Sequence, residues 1–214
     1  MPSPRSKVEV GTKEARYYDF LLSLISLGIY PRFIRGAIDR MDIQPGQSIL
    51  DLGSGTGRND CLMGKKIGFQ GKVLGLDISN TMLSIAGNRC QTYTNIKFRK
   101  QRIEVPMDYR EEFDKVFVSF VLHGFEDAQK SDIISNAYQA LKSGGIFYIL
   151  DYSEFDLGRL WLPLRWAFTY GECQLASEFL KLDLKAMLHG QGFASFEEDT
   201  FFKGHLRLLK ALRP

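Results

Sequence analysis

Cysteine is scarce. Cys61, Cys90 and Cys173 are odd in number, far apart, and form no CxxC. That spacing supports neither a zinc knuckle nor a disulfide framework, and it predicts reduced thiols in a cytoplasm. Long hydrophobic runs are also missing. The longest, Phe20 to Tyr30, is broken by Ser23, Ser26 and Gly28, well short of the ~20 residues that a bilayer span needs. The N-terminal "MPSPRSKVEVGTKEAR" has no apolar signal core. Excess charge is lacking too. The net charge of +3 comes without clustered Lys and Arg, so nothing points to a nucleic-acid partner. Internal repeats and low-complexity tracts are absent. What remains is a 214-residue chain, 44% hydrophobic and 25% charged. This is the composition of one soluble, cytoplasmic domain with a full core, with contact at a membrane surface left open.

The pattern then has three regimes. Residues 14–27 read as a mostly apolar helix, with Arg16, Asp19, Ser23 and Ser26 as its polar stripe and Gly28 as its cap. Pro31 begins a second helix. From residue 46 to 152, short apolar runs alternate with helical stretches. The runs are Ser48–Leu52, Lys72–Asp77, Ile96–Arg99, Asp114–Phe120 and Gly145–Asp151; the helices are 57–68, 79–91 and 127–141. Such alternation predicts an α/β fold, a Rossmann-like mostly parallel sheet with helices on both faces. After an insert at 153–180, the segment 181–214 reads as a helix (Leu182–His189) and two strands (Ala194–Phe202, His205–Leu212). The short "KGH" link predicts a hairpin, which brings the sheet to seven strands and makes the last antiparallel.

Gly53, Gly55 and Gly57 stand directly behind the first strand, in "ILDLGSGTGRND". Ligands in a doubly wound sheet bind outside the carboxyl ends of the strands. A glycine loop there frees backbone N–H groups at a helix start for a polar ligand, although the same loop serves as a plain structural turn. Asp77 ends the second strand, where a carboxylate holds ribose hydroxyls or caps a helix. Asp51 precedes the first glycine. A carboxylate repels a pyrophosphate but suits an ammonium group, so the loop favours an amino-acid-bearing nucleoside, S-adenosyl-L-methionine, over a dinucleotide.

The motifs "LDLGSGTG", "LGLDIS", "NTML..A" and "LKSGGIFYILDYS" resemble those of class I S-adenosylmethionine-dependent methyltransferases. "YYDFLLSLISLGIYPRFIRGAI", "LDYSEF" and "GHLRLLKALRP" are similar to segments of the ubiquinone/menaquinone biosynthesis C-methyltransferases. The chain departs from that group at Gln101, where an acid is usual, and at "VLHGF", where a polar, arginine-bearing segment is usual. The resemblance implies that Asp51, Gly53, Ser54, Gly55 and Gly57 surround the methionine part. It implies that Asp77 holds the ribose and Ile78 lies against the adenine, which Gln101, Arg102 and Ile103 border. Ser119 would face the sulfonium region, and Tyr18 would close over the cofactor or simply pack in the core.

Methyl transfer to carbon or oxygen needs a proton removed, so a base is expected. His123, just beyond the fourth strand, is the first candidate; its other reading is a loop histidine bonded locally. Asp151, Tyr152 and Glu154 end the fifth strand on the same edge. His189 ends a helix, where it suits the dipole. The large apolar residues of the insert, Trp161 and Trp166 among them, read as core packing or as a greasy lid. Arg159, Arg165, Arg32 and Arg35 read as a wet surface or as contacts to anionic headgroups. The expected function is methyl transfer to a small lipophilic acceptor such as a quinone precursor. The alternatives are an N-methyltransferase of phospholipid amines and a non-catalytic cofactor-binding assembly factor. No metal ligand set is present in the pattern.

Overall fold

The computed structural model describes residues 29–155 and 174–214. Tyr18, the 14–27 helix, most of the 153–180 insert and Cys173 lie outside the described residues. The elements in chain order are α1 (Ile29–Asp39), β1 (Ser48–Leu52), α2 (Arg58–Ile67), β2 (Lys72–Asp77), α3 (Asn80–Arg89), β3 (Ile96–Lys100) and β4 (Phe113–Ser119). A short 3-10 turn (Leu122–Gly124), α4 (Asp127–Ala140), β5 (Leu141–Tyr152), α5 (Gln174–Phe179), α6 (Leu184–Gly190), β6 (Ala194–Phe201) and β7 (Leu206–Leu212) follow.

One seven-stranded sheet runs β3-β2-β1-β4-β5-β7-β6. Strands β1 to β5 pair in parallel, while β7 enters between β5 and β6 antiparallel to both. Strand order reverses between β1 and β4, so the crevice of a doubly wound fold opens there. Because side chains alternate along a strand, the sheet feeds two cores. Leu50, Leu52, Val116, Val118 and Ile149 meet the helices α4 and α6 on one face. Ile49, Phe117, Tyr148 and Leu150 meet α1 and α2 on the other. Both faces are thus covered, which is why the central strands read as near-continuous apolar runs. On the α1 side, Tyr148 donates its buried hydroxyl to the Met41 carbonyl at 2.8 Å, tying β5 to the end of α1.

Two features add to the expected pattern and one corrects it. Helix α5 forms at residues 174–179, inside the stretch read as a lid-like insert. The β6–β7 link is the expected antiparallel hairpin, closed by a 3-10 turn, Phe202–Gly204, with Lys203 at φ 59°. Most directly, Cys61 and Cys90 form a disulfide, with Cα atoms 5.7 Å apart, where reduced thiols were expected. Their separation of 29 residues hides the proximity. Successive βαβ crossovers of one hand place α2 and α3 side by side on the same face, so Cys61 in the first turn of α2 meets Cys90 at the end of α3. Closing a loop of that length stabilises the fold by about 3–4 kcal/mol in a chain-entropy account.

Candidate active site

The glycine loop is held by β2. The N–H groups of Gly53 and Ser54 both donate to the Leu76 carbonyl, at 2.8 and 2.9 Å. Gly53 has φ +85°, and a Cβ there would lie 2.6 Å from a Val121 methyl, so the sharp exit from β1 admits only glycine. Gly57 caps α2 at φ 72°. A Cβ there would meet Ala86 of α3 at 2.8 Å and Phe98 of β3 at 3.0 Å. The close neighbours that exclude a side chain are therefore α3 and β3. Around Gly55 a Cβ would meet nothing within 4 Å, which leaves open space on the ligand side of the loop.

Asp77 is locked in place. Its Oδ2 accepts the Gly55 N–H at 2.9 Å and its Oδ1 accepts the Ser79 N–H at 2.8 Å. Ser79 in turn caps α3 by accepting the Met82 N–H. Of the two residues that sequence offered for the cap, Ser79 takes it, while Asp77 braces the glycine loop. Burial raises the Asp77 pKa, opposed by the hydrogen bonds from Ser79, Gly55 and Ile78.

Asp51 and Asp60 are both fully buried, and among the described residues no donor from another group reaches any of their four carboxylate oxygens. The two carboxyls are neighbours, and each bears on the other's titration. Burial pushes the pKa of both up, to about 7 for Asp60, and the neighbouring carboxylates add to the rise at Asp51. Asp60 was not read as a site residue. In sequence it is an ordinary acid in a first helical turn, favourable to the dipole; only its burial singles it out. Gly75 makes room for it, since a Cβ there would sit 2.8 Å from Asp60 Oδ1, and Gly75 pairs with Asp51 across the strands. Buried carboxylates without a cation, beside a loop with open space, fit a ligand that brings an ammonium group. S-adenosylmethionine meets that requirement. Ser54, buried with its hydroxyl unpartnered, faces the same need.

The remaining expected cofactor residues scatter in kind. Ile78 and Gln101 are half-buried at the ends of β2 and β3, joined by the Gln101 N–H to the Asp77 carbonyl at 3.0 Å. Arg102 is exposed and pairs with Glu104. Ile103 is buried in the core. Ser119 is half-buried at the end of β4.

The opposite end of the edge carries the expected base. After β4, Phe120 adopts φ 54°, an uncommon backbone for an aromatic residue. The chain then turns through the 3-10 segment that carries His123. There the imidazole Nδ1 lies 2.8 Å from Asp151 Oδ1. Asp151 is 1% exposed, and it also accepts backbone N–H groups of Tyr152 at 2.9 Å and His123 at 3.3 Å. With Nδ1–H donated to Asp151, a neutral ring carries its lone pair on Nε2. Tyr152 stands edge-on to the imidazole at 5.0 Å, Phe179 of α5 lies at 6.5 Å, and Phe120 touches Tyr152 at 6.2 Å. His189, in the last turn of α6, belongs to a separate part of the fold, and His205 bonds the Phe202 carbonyl.

The model of the ubiE/COQ5 methyltransferase family matches residues 5–170. The chain belongs to this family. Within it, a ubiquinone/menaquinone biosynthesis C-methyltransferase of Vibrio parahaemolyticus is 32% identical over 152 residues, 68% of this chain and 57% of the relative. The chain therefore spans a little over half the length of that curated relative. An uncharacterized methyltransferase of Synechocystis sp. is 29% identical over 89% of this chain and 87% of its own length. Among solved structures, a SAM-dependent methyltransferase from Aquifex aeolicus superposes with a TM-score of 0.63 at 15% identity, covering 84% of this chain and 89% of that one. The fold is thus the Rossmann-like sheet expected from sequence, and the cofactor that ubiE/COQ5 family membership supports is S-adenosyl-L-methionine. Among the described residues no helix is long and apolar enough to cross a membrane, and no cluster of side chains could hold a metal ion.

Proposed function

We propose that the protein methylates a ring carbon of a small lipophilic acceptor, such as a quinone precursor, with His123 as the general base. The observation that carries this reading is the His123–Asp151 contact at 2.8 Å, made to a buried carboxylate. An amine acceptor need only be neutral, whereas an acidic ring must lose a proton. An imidazole fixed by a carboxylate is suited to take it. Bound S-adenosylmethionine supplies an electrophilic methyl group on its sulfonium. Asp51 and Asp60 answer its ammonium, and Asp77 its ribose hydroxyls. Gly55 leaves room beside the loop, Ile78 and Gln101 would border the base, and Ser119, at the end of β4, would face the sulfonium.

On the acceptor side, Asp151 fixes the ring and tautomer of His123 and favours the imidazolium once the proton arrives. Tyr152, Phe120 and Phe179 supply aromatic faces on which a flat apolar ring can lie. Holding acceptor and methyl group in line can contribute about 7–11 kcal/mol to the rate. Contact with a membrane surface would follow from the acceptor's lipophilicity.

The test is incorporation of labelled methyl from S-adenosylmethionine into a cell lipid extract. Label in the quinone fraction supports ring methylation. Label in phosphatidylethanolamine derivatives instead would overturn the acceptor assignment. Tight binding of S-adenosylhomocysteine with no label in any fraction would show a cofactor-binding protein without this catalysis.

A further inference from the structure

One side chain at the acceptor end is used by none of the chemistry above. Arg207 lies on β7 opposite Asp151 on β5, and residues directly opposite on neighbouring strands project from the same face. The ladder continues through the Ser153 N–H, which donates to the His205 carbonyl at 3.0 Å. The side chain of Ser153, two residues beyond Asp151, therefore returns to that face. Arg207 is 2% exposed and Ser153 5%.

The guanidinium is half satisfied. Nη1 reaches Glu154 Oε1 at 3.1 Å and Glu198 Oε2 at 3.4 Å, and Glu198 is shared with Lys185 Nζ at 3.1 Å. Among the described residues, Arg207 Nε and Nη2 have no partner, and neither does the Ser153 hydroxyl. Buried donors without partners are uncommon and costly. These two nitrogens are moreover the pair whose N–H bonds run parallel, the edge that grips two coplanar oxygens at once. The two glutamates pin the plane through Nη1 and leave that edge clear. Glu154 and Glu198 both contact Nη1, and among the described residues no carboxylate reaches Nε or Nη2.

We propose that Arg207 and Ser153 form an acceptor subsite for two coplanar oxygens sharing one negative charge. A carboxylate or a hydroxy–oxo pair on the acceptor ring meets this description. The proposal rests on the reading of His123 as base in giving the subsite its use. When the acceptor's proton passes to His123 Nε2, the electron pair left behind spreads onto a ring oxygen, and a fixed guanidinium next to Asp151 lowers the energy of that anion. Asp151 then separates two positive groups, the imidazolium on its β4 side and the guanidinium on its β7 side.

The experiment uses the whole protein saturated with S-adenosylhomocysteine, titrated calorimetrically with benzoate and with tropolone. Binding of benzoate alone identifies a carboxylate; binding of tropolone alone identifies a hydroxy–oxo pair. Arg207→Gln is expected to weaken the bound probe by about tenfold or more, and Ser153→Ala by about threefold. The affinity for S-adenosylhomocysteine should stay within about twofold, since the cofactor contacts lie on other strands. Should Arg207→Gln fail to fold, Arg207→Lys keeps a charge for Glu154 and Glu198 but lacks the fork, and the same loss is expected. Equal probe affinity in wild type and in the arginine variants, or binding of neither probe, overturns the subsite. The two ideas separate cleanly. Normal turnover in His123→Ala with Arg207-dependent probe binding removes the base and keeps the subsite; the reverse pattern removes the subsite and keeps the base.

Discussion

At the β1–β2 end of the sheet's carboxyl edge, Asp51 and Asp60 are buried carboxylates that no cation among the described residues hydrogen-bonds. At the β5–β7 end, Arg207 is a buried guanidinium with one edge unanswered. The first end is the half of the crevice suited to a cofactor that carries positive charge. The second is the half suited to an acceptor that becomes negative as it reacts. Among the described residues each end leaves polar atoms without partners, carboxylate oxygens at the first and guanidinium N–H groups at the second. An enzyme that brings together a cationic donor and an anionic nucleophile needs this polarity, because two sites of like charge would favour the wrong occupant at one of them.

The contrast can be broken most sharply at His123. His123→Ala should slow turnover by about 100- to 10,000-fold while leaving calorimetric affinity for S-adenosylhomocysteine unchanged. A matching loss of affinity would mean that the two ends are not independent. Asp77→Ala should do the opposite. It removes a carboxylate that holds the glycine loop through Gly55, and affinity for S-adenosylhomocysteine should fall by about 10- to 100-fold. Binding of benzoate or tropolone to the acceptor end should then be no weaker than to the wild-type protein without cofactor.

The smallest effect is on stability. Burial raises the Asp60 pKa to about 7 in the folded protein, above the ordinary value for the unfolded chain. The folded state then holds more protons than the unfolded state between about pH 4 and pH 7. Its stability falls as pH rises through that window. Asp60→Asn should flatten the fall and raise the Tm of the cofactor-free protein at pH 8 by about 2–8 °C, with little change at pH 4. An unaltered slope of Tm against pH would show that this pair does not hold the proton assigned to it.

The cofactor end was legible in sequence because its parts are local. The glycine loop, Asp51 and Asp77 lie within one βαβ unit whose strand limits the apolar runs mark to the residue, Ser48–Leu52 and Lys72–Asp77. Asp60 escaped because an acid in a first helical turn is common, and nothing in the spacing says that it will be buried. Cys61 and Cys90 escaped because the adjacency of α2 and α3 is a property of crossover handedness, not of sequence distance. At the other end, His123 was legible as a residue beyond β4, but its pairing with Asp151 depends on the turn at Phe120. Arg207 was not legible. In "HLRLLKAL" it reads as the polar position of an alternating strand. Only the entry of β7 between β5 and β6, with helices over its face, shuts it away from water.

That entry also decides which strand stands at the sheet's margin. Without the β6–β7 hairpin, β5 would be a bare edge. With it the margin passes to β6, whose Glu197, Glu198 and Asp199 discourage a further strand from adding.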